Sequence, residues 1–324
     1  MGKKFTIGVL IGNVHTAHPK DLMRGIRAAA SGMDVNVIYF LGTQSVRFNQ
    51  KFALEDFDYQ YNTVYDYAKL AKVDVLIIAY GSLCIFQKNE DKQAFLDKFA
   101  GIPYVLLEDA TDDPRGIYVM VDNFGGMQKC VEHLIIEHHL KHLVYLGGPE
   151  DNQDAIERKA AFLNVMAEHH LPVTPEMMAV GDYSEFVDNL VEQLLKDNPD
   201  AEAIISANDE MTVACYRVCK AHGLRIGKDI LITGFDDVER ARYSNPPLTT
   251  ASQDAYKMGQ IAVEKAVDIC AGRPVESVRL DAELIIRESC GCKVTRRAKE
   301  KADEKTELLH ICLLYTSPSP RDKR

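Results

Sequence analysis

No stretch of this sequence approaches the roughly 18 consecutive apolar residues that a membrane-spanning helix needs, which excludes a helical transmembrane span. Positive charge is also short. The 38 Lys and Arg against 48 Asp and Glu leave a net charge of −10, the wrong balance for a surface that neutralises phosphates along a nucleic acid. That total still permits a local basic patch. The motifs of nucleotide and hydrolytic chemistry are missing as well. After the first apolar run the turn reads GNVHTAH, with a single Gly12 where a dinucleotide site needs G-x-G-x-x-G. There is no G-x-x-x-x-G-K-[ST] loop and no G-x-S-x-G elbow. GGP at 147–149 precedes a helix and suits an anion or a tight turn equally well. The adjacent acids Asp236 and Asp237 have no identifiable catalytic partner, so the chain is not read as an enzyme and no cofactor is implied.

A disulfide framework is absent too. Eight cysteines are scattered through the chain, as in a protein with reduced thiols, and the expected location is cytoplasmic. Cys215, Cys219 and His222 share a helical face and are read as core packing rather than metal ligands. Cys290-Gly291-Cys292 has a spacing that suits neither a zinc knuckle nor an easy disulfide. Histidines 133, 138, 139, 142, 169 and 170 are read as helix-end caps and solvated surface, so no metal is expected. The opening MGKKFTIGVLIGNVH imitates a signal peptide, but two glycines interrupt its short apolar run and no small-residue cleavage site follows; it reads as a first buried strand.

What the sequence does contain is alternation. FTIGVLIG (5–12), VNVIYFLG, VDVLIIAYG and PYVLLED are continuous apolar, β-branched runs, the pattern of strands buried on both faces. Between them lie a helix from Pro19 to Met33 and the helical periods YNTVYDYAKLA and EDKQAFLDKFAG. From about residue 116 the pattern restarts with GIYVMVDN, HLVYLGGP, MMAVGDY, AEAIISAND and DILITGFDD, again separated by helices. Repeated β–α units with short connections predict an α/β protein of two doubly wound parallel-sheet lobes, with a cleft between them as the ligand site. The stretch 43–61, rich in Phe and Tyr, either roofs a pocket or packs on its lobe.

Open α/β sheets bind ligands beyond the carboxyl ends of their strands. Those ends supply Asn13, His15, Ser82, Glu108 and Asp109 in the first unit. In the second they supply Asp122, Asn123, Tyr183, Asn208, Asp209, Asp236 and Asp237. Carboxylates, amides and an aromatic ring suit a neutral polyol such as a sugar or nucleoside and repel a phosphate.

Five segments occur in a specific order: VDNFGGM (121–127), GGPEDNQDAIERKAAF (147–162), SANDEMTVA (206–214), GFDD (234–237) and PPLTTASQD (246–254). With LIIRESC near 290, this set resembles the effector-binding domain of LacI/GalR-type regulators over roughly residues 4–290. The resemblance implies a periplasmic-binding-protein-like fold whose lobes are joined by three crossovers, near 117–119, 253–254 and 279. The N-terminal lobe is then 4–118 and 254–279, and the C-terminal lobe 119–253 and 280–290. It also implies that the helix AYKMGQIAVEKAVDICAG packs on the first lobe, where chain order alone puts it on the second. By position, Arg158 and Asp236 match effector contacts, with Asn208, Tyr183, Glu108 and Gln253 beside them. A surface ion pair for Arg158 and turn chemistry for Asn208 are the structural alternatives. Arg158→Ala and Asp236→Ala are expected to abolish ligand binding and leave the apo melting temperature nearly unchanged.

Two departures from the family pattern stand out. VHTAH replaces the usual Asn-Pro-aromatic signature after the first strand, so ligand identity does not carry over. His139 replaces a glycine just past a helix end, which predicts local strain or an altered terminus there.

The first strand begins at Phe5, leaving no room for the helix-turn-helix of family repressors, and no DNA-reading domain is expected within the chain. Residues 293–311 are expected to form a signalling helix, with Ala298, Ala302, Lys305 and Leu309 on one seam. Residues 312–324 read as a non-native or unstructured tail. The chain resembles sensors that precede an output such as a diguanylate cyclase. The expected function is a homodimeric sensor whose lobes close on a small polar ligand and control transcription or a C-terminal output. A solute-binding protein for uptake and an α/β enzyme are the alternatives.

Overall fold

The computed structural model of the protein describes residues 4–43, 58–84 and 89–293. The apolar runs become strands and the intervening periods helices. In the first lobe these are β1 (Thr6–Gly12), α1 (Ala17–Gly32), β2 (Asn36–Gly42), α2 (Tyr67–Leu70), β3 (Val75–Ile78), α3 (Tyr80–Leu83), α4 (Asn89–Asp97), β4 (Tyr104–Leu107) and β5 (Gly116–Val121). The second lobe follows with α5 (Asn123–Ile136), β6 (Leu143–Gly147), α6 (Gln153–Glu168), β7 (Met178–Val180), α7 (Asp188–Asp197), β8 (Ala203–Ser206), α8 (Asp209–Ala221), β9 (Leu231–Asp236), α9 (Glu239–Tyr243) and β10 (Thr249–Ser252). The chain then returns to the first lobe as α10 (Ala255–Cys270) and β11 (Val278–Leu280), and crosses back as β12 (Glu283–Ile285).

Each lobe is a six-stranded sheet, ordered β11-β5-β4-β3-β1-β2 and β12-β10-β9-β8-β6-β7. All neighbours are parallel except β10 and β12, so the second sheet carries an antiparallel edge. Two of the three crossings fall later than expected, at 122 and at 281–282 instead of 117–119 and 279. Register explains the shift. Met120 and Val121 are fully buried and pair with Arg279 and Leu280, so the first sheet keeps residues 119–121 and 280. GIYVMVDN accordingly closes the first unit instead of opening the second.

Helix α10 covers the first lobe. Its Met258, Ala262, Val263 and Ala266 share a core with Ile7, Val9, Leu22, Ile26, Val75 and Val105. Glycines permit the close approach of α1 and α10, because a Cβ on Gly25 would lie 1.9 Å from the Tyr256 carbonyl oxygen. The opposite face of this sheet buries Tyr65, Phe95, Phe99 and Tyr104, while both faces of the second sheet join one core that includes Tyr145, Phe162 and Phe235.

Helical period misled in one place. Residues Asp58–Asp66 form a 3-10 segment, and α2 adds only one turn. Here Asn62 accepts a hydrogen bond from the Thr43 backbone N–H at 2.9 Å and Tyr65 donates to the Thr43 carbonyl at 3.2 Å, which ties the segment to the end of β2. The expected roof at 43–61 falls largely, and the signalling helix and tail beyond 293 wholly, outside the described residues.

Candidate functional site

Nine of the residues singled out from the sequence line one cavity of about 830 Å³ between the lobes, while Asp109, Asp122, Asn123, Asp209 and Asp237 lie outside it. Asn13 and His15 follow β1, Ser82 lies on α3 after β3, and Glu108 follows β4. From the other side come Tyr183 after β7, Asn208 after β8, Asp236 at the end of β9 and Arg158 on α6, while Gln253 sits on the second crossing. Strand polarity makes this convergence, since both sheets present their carboxyl ends to the cleft.

Four of the nine hold strained backbone. Asn13, Glu108, Tyr183 and Asp236 have φ of 51°, 69°, 64° and 118°, and Asp237 follows at 55°. An L side chain adopts such angles at a cost of order 1–3 kcal/mol, and persists in them where surrounding contacts over-determine the position. Strain gathered at one cleft is the mark of a site that fixes side-chain directions.

Arg158 is the centre of the second-lobe wall. It is 3% exposed, so the surface ion-pair alternative does not hold. Its Nε donates to Asn123 Oδ1 at 2.8 Å and its Nη1 to the Ala207 carbonyl at 2.7 Å, with the guanidinium carbon 3.8 Å from the Phe235 ring centroid. Asp154 and Asp236 each lie 3.6 Å from a guanidinium nitrogen. Nη2 has Asp154 as its nearest acid, at 3.6 Å.

These two acids are not ordinary carboxylates. Burial pushes Asp154 up to about 7, with Arg158 working in the opposite direction. Burial likewise raises Asp236 to about 6 against the pull of Arg158 and His18. Near neutral pH both can donate as well as accept, which suits hydroxyl groups. Behind them Asp209 is raised well above the carboxylate range by burial and then by Asp236; it accepts from Thr250 Oγ1 at 2.7 Å and the Val238 N–H at 3.0 Å.

The first-lobe wall is built on Glu108, which is 5% exposed. It accepts from the Ser82 backbone N–H at 2.8 Å, from the Ser82 hydroxyl, and from His18 Nε2. Burial alone would raise this carboxyl, but His18 and Ser82 outweigh it and hold Glu108 below its usual range. The same pairing overcomes burial on His18 and lifts its imidazole above the ordinary value.

Several polar strand-end residues carry structural work. Asn208 lines the cleft and also caps α8, accepting from the Met211 N–H at 3.0 Å, so the turn-chemistry alternative holds alongside its position. Asp122 caps α5 through the Gly125 N–H, Asn123 bridges Arg158 and Asp154, and Asp237 pairs with Arg287 and Arg242. Asp109 pairs with Lys92 at 2.7 Å in a neighbouring cavity of about 800 Å³.

Sequence reasoning passed over His18, Asn152, Asp154 and Phe186, all lining the main cavity. Asp154 stands four residues before Arg158 on α6, a helical-neighbour spacing that could have revealed it. His18 lies in the same VHTAH loop as His15 but one step into α1. In all, the cavity holds seven carboxylic acids (Glu108, Asp154, Asp182, Glu185, Glu210, Asp236 and Glu239) against Arg158, Arg240 and two histidines. Among the described residues the cleft brings no metal-binding set together; the one group of His and Cys that converges is His133, His138, Cys290 and Cys292, at the opposite end of α5.

The chain is similar to known proteins in sequence and in fold. Residues 131–290 match the family model described as a periplasmic binding protein-like domain. The HTH-type transcriptional regulator CelR of Thermobifida fusca is 30% identical over 216 residues, 64% of this chain and 62% of CelR. The HTH-type transcriptional repressor PurR of Aliivibrio fischeri is 29% identical over 198 residues, 60% of this chain and 56% of PurR. The chain thus spans about 60% of the length of these relatives. Among solved structures, a CelR–cellobiose complex superposes with a TM-score of 0.73 at 23% identity, covering 89% of this chain and 85% of that one. The lac repressor dimer bound to operator and the anti-inducer ONPF gives 0.74 at 23%, covering 90% and 82%. A regulatory protein of the LacI family from Chloroflexus aggregans gives 0.70 at 25%, covering 88% and 98%. The fold is that of these proteins, and the named relatives are regulators and repressors rather than enzymes.

Proposed function

We propose that this chain is the effector-binding domain of a LacI-type regulator, a cytoplasmic sensor that closes its two lobes on a neutral, hydroxyl-rich ligand of sugar or nucleoside type. The observation that carries this reading is the composition of the cleft: the deeply buried Arg158 set beside two buried carboxylic acids, Asp154 and Asp236, which burial raises to about 7 and about 6. Such a wall donates and accepts many hydrogen bonds and repels phosphate or carboxylate. Arg158 donates to the ligand, Asp236 and Asp154 exchange hydrogen bonds with its hydroxyls, and Tyr183 and the exposed Phe186 offer aromatic faces. Asn13, His15 and Ser82 meet it from the first lobe, and Asn208 and Gln253 from the second lobe and the hinge.

Closure draws the lobes together across the three crossings and changes the geometry of a homodimer. The consequence is regulation of transcription, as the names of the relatives suggest, or of a signalling output such as a diguanylate cyclase attached beyond the sensor.

A thermal-shift screen tests the ligand class by setting neutral saccharides and nucleosides against phosphorylated and uronate sugars. A neutral compound at about 100 times its Kd is expected to stabilise by about 2.7 kcal/mol, a rise of roughly 4 °C for a chain of this size. A rise confined to the anionic compounds, or turnover of any of them, would overturn the proposal.

A further inference from the structure

Four side chains far apart in sequence meet outside the cleft. His133 lies in the last turn of α5 and His138 just beyond it; Cys290 closes a short 3-10 turn after β12, and Cys292 comes two residues later. His133 is 8% exposed and Cys290 is fully buried, while His138 and Cys292 are half-buried at the rim. One donor atom from each converges within 4.8 Å of all the others. Cys290 Sγ is 3.4 Å from His133 Nε2, and Cys292 Sγ is 3.6 Å from His133 Nε2 and 3.4 Å from His138 Nε2.

Those distances are the edges of a tetrahedron. Zinc bound at about 2.3 Å to sulfur and about 2.0 Å to nitrogen requires S···N separations of about 3.5 Å. Hydrogen bonding between neutral thiols and imidazoles needs only one edge at a time; here three edges agree. The two-residue cysteine spacing argues against a knuckle only when both ligand pairs are sought nearby. Gly291, at φ 85°, turns the chain so that both sulfurs face the histidine pair, which long-range folding brings across from α5.

We infer that His133, His138, Cys290 and Cys292 form a structural zinc site of Cys2His2 type. The metal takes both imidazoles as neutral ligands and both sulfurs as thiolates, so two thiol protons leave to solvent for each ion bound. Burial lowers the imidazoles of His133 and His138 from the ordinary histidine value, the direction that suits neutral ligands. The closed shell, with no ligand position facing the cleft, marks the site as structural. It clips the end of the second lobe to α5 one residue before Lys293, where the described chain stops.

The test is cobalt binding to the purified, reduced, chelator-stripped full chain. The expected result is a tetrahedral visible spectrum with thiolate-to-cobalt charge transfer, saturating at one ion per chain and bleached by an equivalent of zinc. Cys292→Ser should lose about half of the charge-transfer intensity. His138→Gln should weaken zinc binding at least about tenfold, since loss of even an outer-shell partner of a ligand costs about 10–100-fold. Both positions lie at the rim, so circular dichroism of the apo variants should match the parent chain. An octahedral or absent cobalt spectrum would overturn the inference. So would equal binding by the parent and both variants, which puts the metal elsewhere, or a Cys290–Cys292 disulfide detected by mass in the reduced preparation.

Discussion

Replacing Arg158 by alanine should weaken the empty protein as well as its ligand binding. This revises the expectation, drawn from sequence, of an unchanged apo melting temperature. Two charge-assisted hydrogen bonds disappear, to Asn123 and to the Ala207 carbonyl, each worth about 1.5–3 kcal/mol where a charged donor is involved. The stacking on Phe235 goes as well. Breaking a buried charge pair usually costs about 3–5 kcal/mol. Here the loss sits near the lower end, because Asp154 and Asp236 are already raised to about 7 and about 6 and escape by taking up protons. A loss of about 3 kcal/mol corresponds to a fall of about 4–5 °C in the melting midpoint of a chain this long. The chain has no tryptophan and 14 tyrosines, so far-ultraviolet circular dichroism is the suitable signal. The sign with pH is part of the prediction. Without the guanidinium both carboxyls rise further, so the variant is least impaired near pH 4–5 and worst above pH 7. An apo midpoint within about 2 °C of the parent at pH 7.5 would refute the argument and return Arg158 to a purely ligand-facing role.

Asp154→Asn should stabilise the apo protein at pH 8 and leave it unchanged near pH 4. A carboxyl raised to about 7 in the fold holds its proton when the unfolded chain has released it, so its stabilising contribution fades as pH rises from about 4 through 7. Urea denaturation at the two pH values measures this, and an equal effect at both would contradict it. His139→Gly should raise stability by about 0.5–1 kcal/mol, because His139 holds φ 57° just beyond α5, where a side chain is penalised by about 1–2 kcal/mol and glycine is not. A loss of stability in thermal melts of that variant would mean that the imidazole makes a compensating contact.

The strands were legible in the sequence because both faces are covered. Runs such as VLII and LVYLG are apolar at every position, with no alternation to confuse them. Helix α10 was not legible from chain order, since its partners Leu22 and Ile26 lie more than 200 residues earlier, and only the motif resemblance suggested its place. The 3-10 segment at Asp58–Asp66 was missed because tertiary bonds from Thr43 override local period. In the cleft, strand-end positions could be named by the polarity of the sheets, whereas His18 and Asp154 project from the first turns of the following helices. The convergence of His133 with Cys290 spans 157 residues, beyond any spacing rule.

His139 shows a reading of another kind. The replacement of an expected glycine predicted strain after α5, and the backbone there is left-handed. A one-residue departure from a pattern located a conformation.

Helix α5 touches both ends of the second lobe's business. Its first residue, Asn123, is hydrogen-bonded to Arg158 and Asp154 in the wall of the cleft, and His133 stands ten residues further on beside the two cysteines. At 1.5 Å per residue the two side chains are about 15 Å apart along one hydrogen-bonded rod. Such a rod does not shorten. The wall of the cleft at Asn123 and the cysteine pair beside His133 are thereby held at a fixed separation, at opposite ends of one rigid helix.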